Sequence, residues 1–404
     1  MKRFIVIVLD GFGIGYMEDA KVVRPSDVGS NTLKHILDKV GGLKLPNLEA
    51  LGLMNALGED YKEMKKSTLG TFGSANLTHF GADTFYGHQE IMGTNPKMPV
   101  KEPFTKNINK VKAALEEKGY KAEIHKGNEA EFLVVNDVLT VADNIEADLG
   151  QAYNITSALD YIDFKEVLKI GKIVRANVKV SRVITFGGEE IDINNILNAV
   201  EEKPNGFIGI NAPKSGVYDN GYQCIHLGYG IDPEVQAPTI LGRAGIDVTL
   251  LGKVADIVSN DFGKSISCVD TEEVLKLTLK EMDEIKEGFI CTNVQETDLS
   301  GHGEDAFKYA EKLKIADKYI GEIKDKLSEE DILLIMADHG NDPTIGHSRH
   351  TRERVPLLIT GHKIKSGIDL GTRRTLSDVG ATVLNYFNKE GNENGESFLK
   401  DILK

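Results

Sequence analysis

The sequence predicts an α/β fold with a central, mostly parallel sheet between helices and an inserted α+β domain. Short, continuous apolar runs alternate with amphipathic stretches at both ends of the chain, the pattern of buried parallel strands covered by helices. Several of those runs stop abruptly at an acidic residue or a glycine-bearing turn. Around residues 96–103, where Pro96, Pro99 and Pro103 cluster, the texture changes to shorter, alternating elements. A chain of 404 residues exceeds the length at which one core stops growing, so two domains are expected. The pattern assigns 1–97 and 221–404 to the core and 98–220 to the insertion.

In chain order, Phe4 to Leu9 reads as a buried strand, and Asp10-Gly11-Phe12-Gly13-Ile14-Gly15 turns the chain out of it. Gly29-Ser30-Asn31-Thr32 opens a helix to about Val40, with Ser30 or Asn31 as its cap. Another helix starts at Pro46. Residues 69–80 carry a strand that delivers a loop over 81–90. Within the insertion, a helix is expected from Ile108 to Lys118, strands near 121–125 and 131–135, and a helix over 163–171. A strand at 178–186, a helix at 192–201 and a strand at 206–210 follow. The core pattern resumes with a helix at 237–244, a strand at 248–251, a helix at 272–286 and a strand at 289–294. After these come a long helix at 306–326, strands at 331–336 and 355–360, and a last helix at 376–388.

Net charge of −14 argues against nucleic acid and against anionic membrane surfaces as partners. An anionic substrate would need local positive charge from a metal or a few placed cations. Three widely spaced cysteines give neither a disulfide framework nor a zinc spacing, and they suit a reducing cytoplasm. The apolar start is too short for a signal peptide, and no run is long enough to span a bilayer. Monomer and homo-oligomer stay equally open.

Chemistry collects where strands end. Ala337-Asp338-His339-Gly340-Asn341-Asp342 closes the 331–336 strand, and His347 and His350 follow. Asp298-Leu299-Ser300-Gly301-His302 lies just beyond the 289–294 strand, and Asp10 ends the first. Asp10, Asp298, His302, Asp338, His339 and His350 are oxygen and nitrogen donors without a thiolate, a set that suits Mn, Zn or Fe, or Mg where oxygens dominate. Six ligands are too many for one open catalytic site and divide well between two divalent ions. An aspartate after a strand more often caps a helix, and a lone histidine is usually an ordinary polar residue; the clustering of four of the ten histidines within 302–350 tips the balance. Thr84, beside Asp83, is a candidate nucleophile, because a hydroxyl needs a metal or a base to react at neutral pH. Asp143 and Glu90 are further acidic candidates. Arg243, Lys253 and Arg352 are candidate phosphate cations, Arg352 as a bidentate clamp.

Asp10-Gly-Phe-Gly-Ile-Gly15, Gly29-Ser-Asn-Thr32, Asp83-Thr-x-x-Gly-His-x-Glu-Ile-Met-Gly93, Ala337-Asp-His-Gly-Asn-Asp-Pro343 and His350-Thr-Arg-Glu-x-Val-Pro356 together resemble phosphopentomutases of the alkaline phosphatase superfamily. The resemblance implies an alkaline-phosphatase-like core, an inserted cap, two Mn ions and a threonine that cycles through a phosphorylated state. It implies that Asp10, Asp338 and His339 hold one metal and Asp298, His302 and His350 the other, with Thr84 as phosphoacceptor. Asp143 matches an acidic residue of the cap, and Lys253 lies in a matching Gly-Lys-x-x-Asp-Ile segment. The implied reaction moves phosphate between C1 and C5 of ribose or deoxyribose, a small phosphorylated metabolite. His88, Glu90, Lys214 and Arg243 are the substrate-binding candidates. Ala82, Tyr86 and Gln89 depart from the family's Lys, Thr and Trp, and the spacing Asp298-x-x-Gly-His302 is closer to cofactor-independent phosphoglycerate mutases. The family's arginine-rich cap motif is replaced by Gly209-Ile-Asn-Ala-Pro-Lys-Ser-Gly-Val-Tyr218, where Lys214 is the cation. The alternatives are a related mutase or phosphatase for another phosphate ester, or a non-catalytic metal-binding scaffold.

Overall fold

The computed structural model describes residues 1–146 and 149–404. The chain forms two compact units, one from Met1–Pro96 with Asp232–Lys404 and the other from Lys97–Ile231. In the first unit a mixed sheet follows the order Lys264–Ile266, Asp247–Leu251, Glu287–Val294, Lys2–Leu9, Ile332–Met336, Val355–Thr360, Thr71–Ala75, Asp369–Arg373. Five of its strands lie parallel side by side, and the inner ones are buried along nearly their whole length, which is why the central strands read as unbroken apolar runs.

Register positions the site. Leu9 pairs with Val294, Val8 with Met336, and Leu251 with Thr292, so Asp10, Asp298, Asp338 and Lys253 all emerge at the carboxyl edge of the sheet. Val355–Thr360 runs antiparallel to both neighbours, Met336 pairing with Leu357 and Val355 with Ala75. Its start and the end of Thr71–Ala75 therefore lie at that same edge, which brings residues 350–354 beside residues 77–84. A buried ion pair fixes the opposite end: Arg3 Nε donates to Asp331 Oδ2 at 3.1 Å, and the Arg3 backbone N–H donates to Asp331 Oδ1 at 2.9 Å.

The second unit is α+β. Strands Gln223–Gly228, Arg182–Gly188, Ala152–Ala158, Leu139–Asp143, Glu131–Val135 and Ala122–Lys126 lie in that order, with helices Ile108–Glu117 and Phe164–Asn177 packed on its own apolar cluster. Gln223–Gly228 pairs antiparallel with Arg182–Gly188, so the insertion runs to Ile231 and not to 220.

Three local expectations differ. The expected loop over 81–90 is a helix, Thr84–Ile91, because the Asp83 side chain accepts the Tyr86 N–H and caps it. The expected helix at 192–201 stops at Leu197; Val200–Lys203 instead forms a hairpin with Phe207–Ile210, turned by Asn205 and Gly206 with φ of 68° and 76°. Strands Leu139–Asp143, Ala152–Ala158, Gln223–Gly228, Lys264–Ile266 and Asp369–Arg373 have no counterpart in the sequence reading. Among the described residues, no helix is long and apolar enough to cross a membrane.

Candidate metal centre

Two ligand clusters form at the carboxyl edge of the core sheet. Asp10, Asp338 and His339 each place a donor atom within 4.8 Å of the others, and so do Asp298, His339 and His350. His339 thus belongs to both groups, where the sequence reading placed it in the first alone. His302 joins the second: its Nε2 lies 3.4 Å from Asp298 Oδ2 and 3.0 Å from His350 Nε2.

Several features fit bound cations. His302 Nδ1 is 2.6 Å from the Ser348 carbonyl, His350 Nδ1 is 2.8 Å from that of Ala82, and His339 Nδ1 is 2.9 Å from that of Gly340. Each Nδ1–H therefore donates to backbone, which leaves each Nε2 as a lone pair aimed into the site. Facing lone pairs repel unless a positive charge sits between them. Asp10 Oδ1 and His339 Nε2 are buried without a hydrogen-bond partner and lie 3.4 Å apart. Burial works against a charged His339, yet Asp338, Asp10 and Asp298 favour positive charge at its Nε2, which a proton or a bound cation can supply. Burial likewise opposes ionised Asp298, but His302, His350, His339 and Lys253 hold it well below the usual carboxylate range. The site selects for positive charge among its carboxylates, as a divalent-ion centre does.

Thr84 stands at the first turn of its helix, and its Oγ1 donates to Asp338 Oδ2 at 2.7 Å. Gly87 lets that helix approach: a Cβ there would lie 2.8 Å from the Asp338 carbonyl oxygen. Lys253 Nζ is 2.8 Å from Asp10 Oδ2, 3.1 Å from Asp298 Oδ2 and 3.4 Å from Thr84 Oγ1. Burial alone would lower the Lys253 pKa, but Asp10, Asp298 and Asp338 together raise it. Thr84, Lys253 and both ligand clusters are therefore in one place.

Other candidates serve different ends. His88 is wholly buried: its Nδ1 lies 3.0 Å from the Thr84 carbonyl and 3.2 Å from Asp338 Oδ2, and its Nε2 takes the Asn293 amide at 2.9 Å. It steadies the first turn of the Thr84 helix and offers no exposed face. Glu90 is also buried, and its carboxylate accepts from Thr78, His79, Thr375 and Leu376. Burial would raise the Glu90 pKa, but His79, Thr375 and Thr78 bring it down to about 2. Arg352, expected as a phosphate clamp, is buried with every donor engaged by protein. Arg243 is exposed, pairs with Glu234 and lies over the Phe262 ring, so it is a surface pair. In the inserted unit, Asp143 accepts the N–H groups of Phe104 and Ile208 at 2.8 and 3.0 Å, and burial pushes its pKa up to about 6. Those bonds make it a lock within that unit. Lys214 is exposed on the short helix Ala212–Ser215.

The sequence reading missed the residues that orient the ligands. Asn293 donates to Asp10 Oδ2 at 3.1 Å as well as to His88, and Asn341 donates to Asp298 Oδ1 at 2.8 Å. Glu353, buried, accepts from Gly15 N, Thr32 N, Thr32 Oγ1 and Thr351 Oγ1, tying the first glycine loop to the last motif. A polar residue near the end of an apolar strand was the available signal for Asn293; Glu353 gave none.

The profile of the family described as the Metalloenzyme superfamily matches residues 2–390. The phosphopentomutase of Herpetosiphon aurantiacus is 34% identical over 417 residues, covering 100% of this chain and 99% of its own. Those of Acetivibrio thermocellus and Caldanaerobacter subterraneus are 34% and 32% identical, each covering 100% of this chain and 100% and 98% of their own. The chain belongs to the metalloenzyme superfamily and, within it, to the phosphopentomutase family. Its activity is that of a phosphopentomutase-like isomerase.

Proposed function

We propose that this enzyme interconverts the 1-phosphate and 5-phosphate of ribose or deoxyribose through a phosphothreonine at Thr84, in the cytoplasm, with two Mn ions as cofactors. The observation that carries this reading is Thr84 Oγ1, hydrogen-bonded to Asp338 at 2.7 Å with Lys253 Nζ 3.4 Å away. Asp10, Asp338 and His339 would hold one ion and Asp298, His302 and His350 the other, with His339 near both. When bound, such ions would screen the charge of the phosphoryl group and lower the pKa of the threonine hydroxyl.

The chain's own groups do the rest. The bond from phosphorus to Thr84 Oγ1 breaks as one forms to the free sugar hydroxyl, whose proton passes to Oγ1. Asp338 Oδ2 then holds that proton by hydrogen bond. The second phosphate of the resulting bisphosphate returns to Oγ1, and the proton goes to the departing sugar oxygen. Lys253 offsets negative charge on the transferring group throughout.

The test incubates the Mn-loaded protein with ribose 1-phosphate and follows ribose 5-phosphate together with the intact mass of the protein. Conversion with phosphorylation at Thr84 supports the reading. Turnover of other phosphate esters without any pentose phosphate would retain the nucleophile and reject the substrate.

A further inference from the structure

The segment that delivers Thr84 hangs from one buried guanidinium. Arg352 Nε and Nη2 donate to the two Asp19 oxygens at 2.9 and 2.7 Å. Nη2 also donates to the Leu77 carbonyl at 3.0 Å, and Nη1 to the carbonyls of His79 at 2.9 Å and Gly81 at 2.6 Å. All five N–H groups of an arginine are accounted for, so none is left for a phosphate. Two residues earlier, His350 Nδ1 engages the next carbonyl, that of Ala82. Glu90 grips the same segment through the N–H groups of Thr78 and His79. Carbonyls at 77, 79, 81 and 82 thus face the 350–352 segment, while amides at 78 and 79 face the nucleophile's own helix.

We propose that Arg352 is a positioning residue that sets where Thr84 stands relative to the His350 ligand, with Asp19 orienting its guanidinium. A planar fork with five fixed donors suits three carbonyls and a carboxylate at once, whereas a lysine offers three donors from a single point. Misplacing a nucleophile by about 1 Å costs on the order of 100-fold in rate, with little effect on ground-state binding. A phosphate clamp would behave oppositely and lose KM.

This inference rests on Thr84 being the nucleophile, and the experiment separates the two. Arg352→Lys and Asp19→Asn are compared with the Mn-loaded wild type by steady-state kinetics on ribose 1-phosphate and by hydrogen exchange of the 77–84 segment. Arg352→Lys should lower kcat about 100-fold with KM within threefold, Asp19→Asn should lower kcat less, and both should speed exchange of this segment. The double variant should be no worse than Arg352→Lys alone. Asp19 is 44% exposed, so its variant folds even where Arg352→Lys does not, and it then decides alone. A tenfold rise in KM with kcat kept, or unchanged exchange in both variants, overturns the proposal. If the wild type turns over no pentose phosphate, the substrate reading fails, and the exchange measurement still decides the tether.

Discussion

Thr84→Ala should abolish phosphoenzyme formation and lower mutase turnover by on the order of 1,000-fold or more. Bound metal measured by elemental analysis should stay near the wild-type content, because the oxygen removed is one donor among several. Retained mutase activity in that variant would falsify the nucleophile assignment. Asn293→Ala has a different signature. It removes the amide that joins Asp10 to His88 and leaves the Asp10 Oδ2 and His88 Nε2 positions without that donor. Groups that orient metal ligands typically matter by 10–100-fold in metal affinity. The expected outcome is weaker Mn binding in titration calorimetry, with turnover restored at high Mn; unchanged affinity would remove Asn293 from the site.

The helix Thr84–Ile91 has a pH dependence that follows from Glu90. Its folded pKa, about 2, lies below the ordinary carboxylate value of 4.5, so the folded state favours the ionised form. The stabilisation is therefore fully present above pH 4.5 and is lost as pH falls toward 2. A difference of this size is on the order of 3 kcal/mol. Hydrogen exchange of residues 78–91 should accelerate over that window in the wild type, and Glu90→Gln should show fast exchange already at pH 7. A flat profile in both would mean that Glu90 does not anchor the helix. The edge of the sheet opposite the site depends on a second buried carboxylate. Asp331→Ala leaves Arg3, 2% exposed, without its counter-ion and should cost about 3–5 kcal/mol in urea unfolding.

The two units have separate apolar cores, and the candidate ligands all belong to one of them. Removing divalent ions leaves Asp10, Asp298 and Asp338 buried together with fewer compensating charges, and a ligand that binds only the folded state stabilises it by mass action. Calorimetry should show two transitions, with chelation lowering the midpoint of one by several degrees and Mn restoring it. The 97–231 segment expressed alone should reproduce the metal-independent transition. A single transition unaffected by chelation would contradict both the ion centre and the independence of the cores.

Apolar runs of four to six residues marked the central strands, because a strand buried on both faces leaves no room for alternation. Acidic and histidine residues just beyond those runs marked Asp10, Asp298, Asp338 and His339, since a strand's end defines where its next side chains emerge. Thr84 was legible through its motif. The sequence left undecided what neighbours would do with a charged side chain, because that depends on which backbone groups arrive beside it from distant segments. Arg352 reads as a phosphate clamp until the antiparallel strand Val355–Thr360 sets it against the carbonyls of 77–81. Glu90 and His88 read as substrate contacts until the Thr84 segment closes into a helix and buries them. Asn293 and Asn341 show no role until the parallel register of three strands brings their ends side by side and sets them against Asp10 and Asp298, and Glu353 shows none until the first glycine loop arrives beside it.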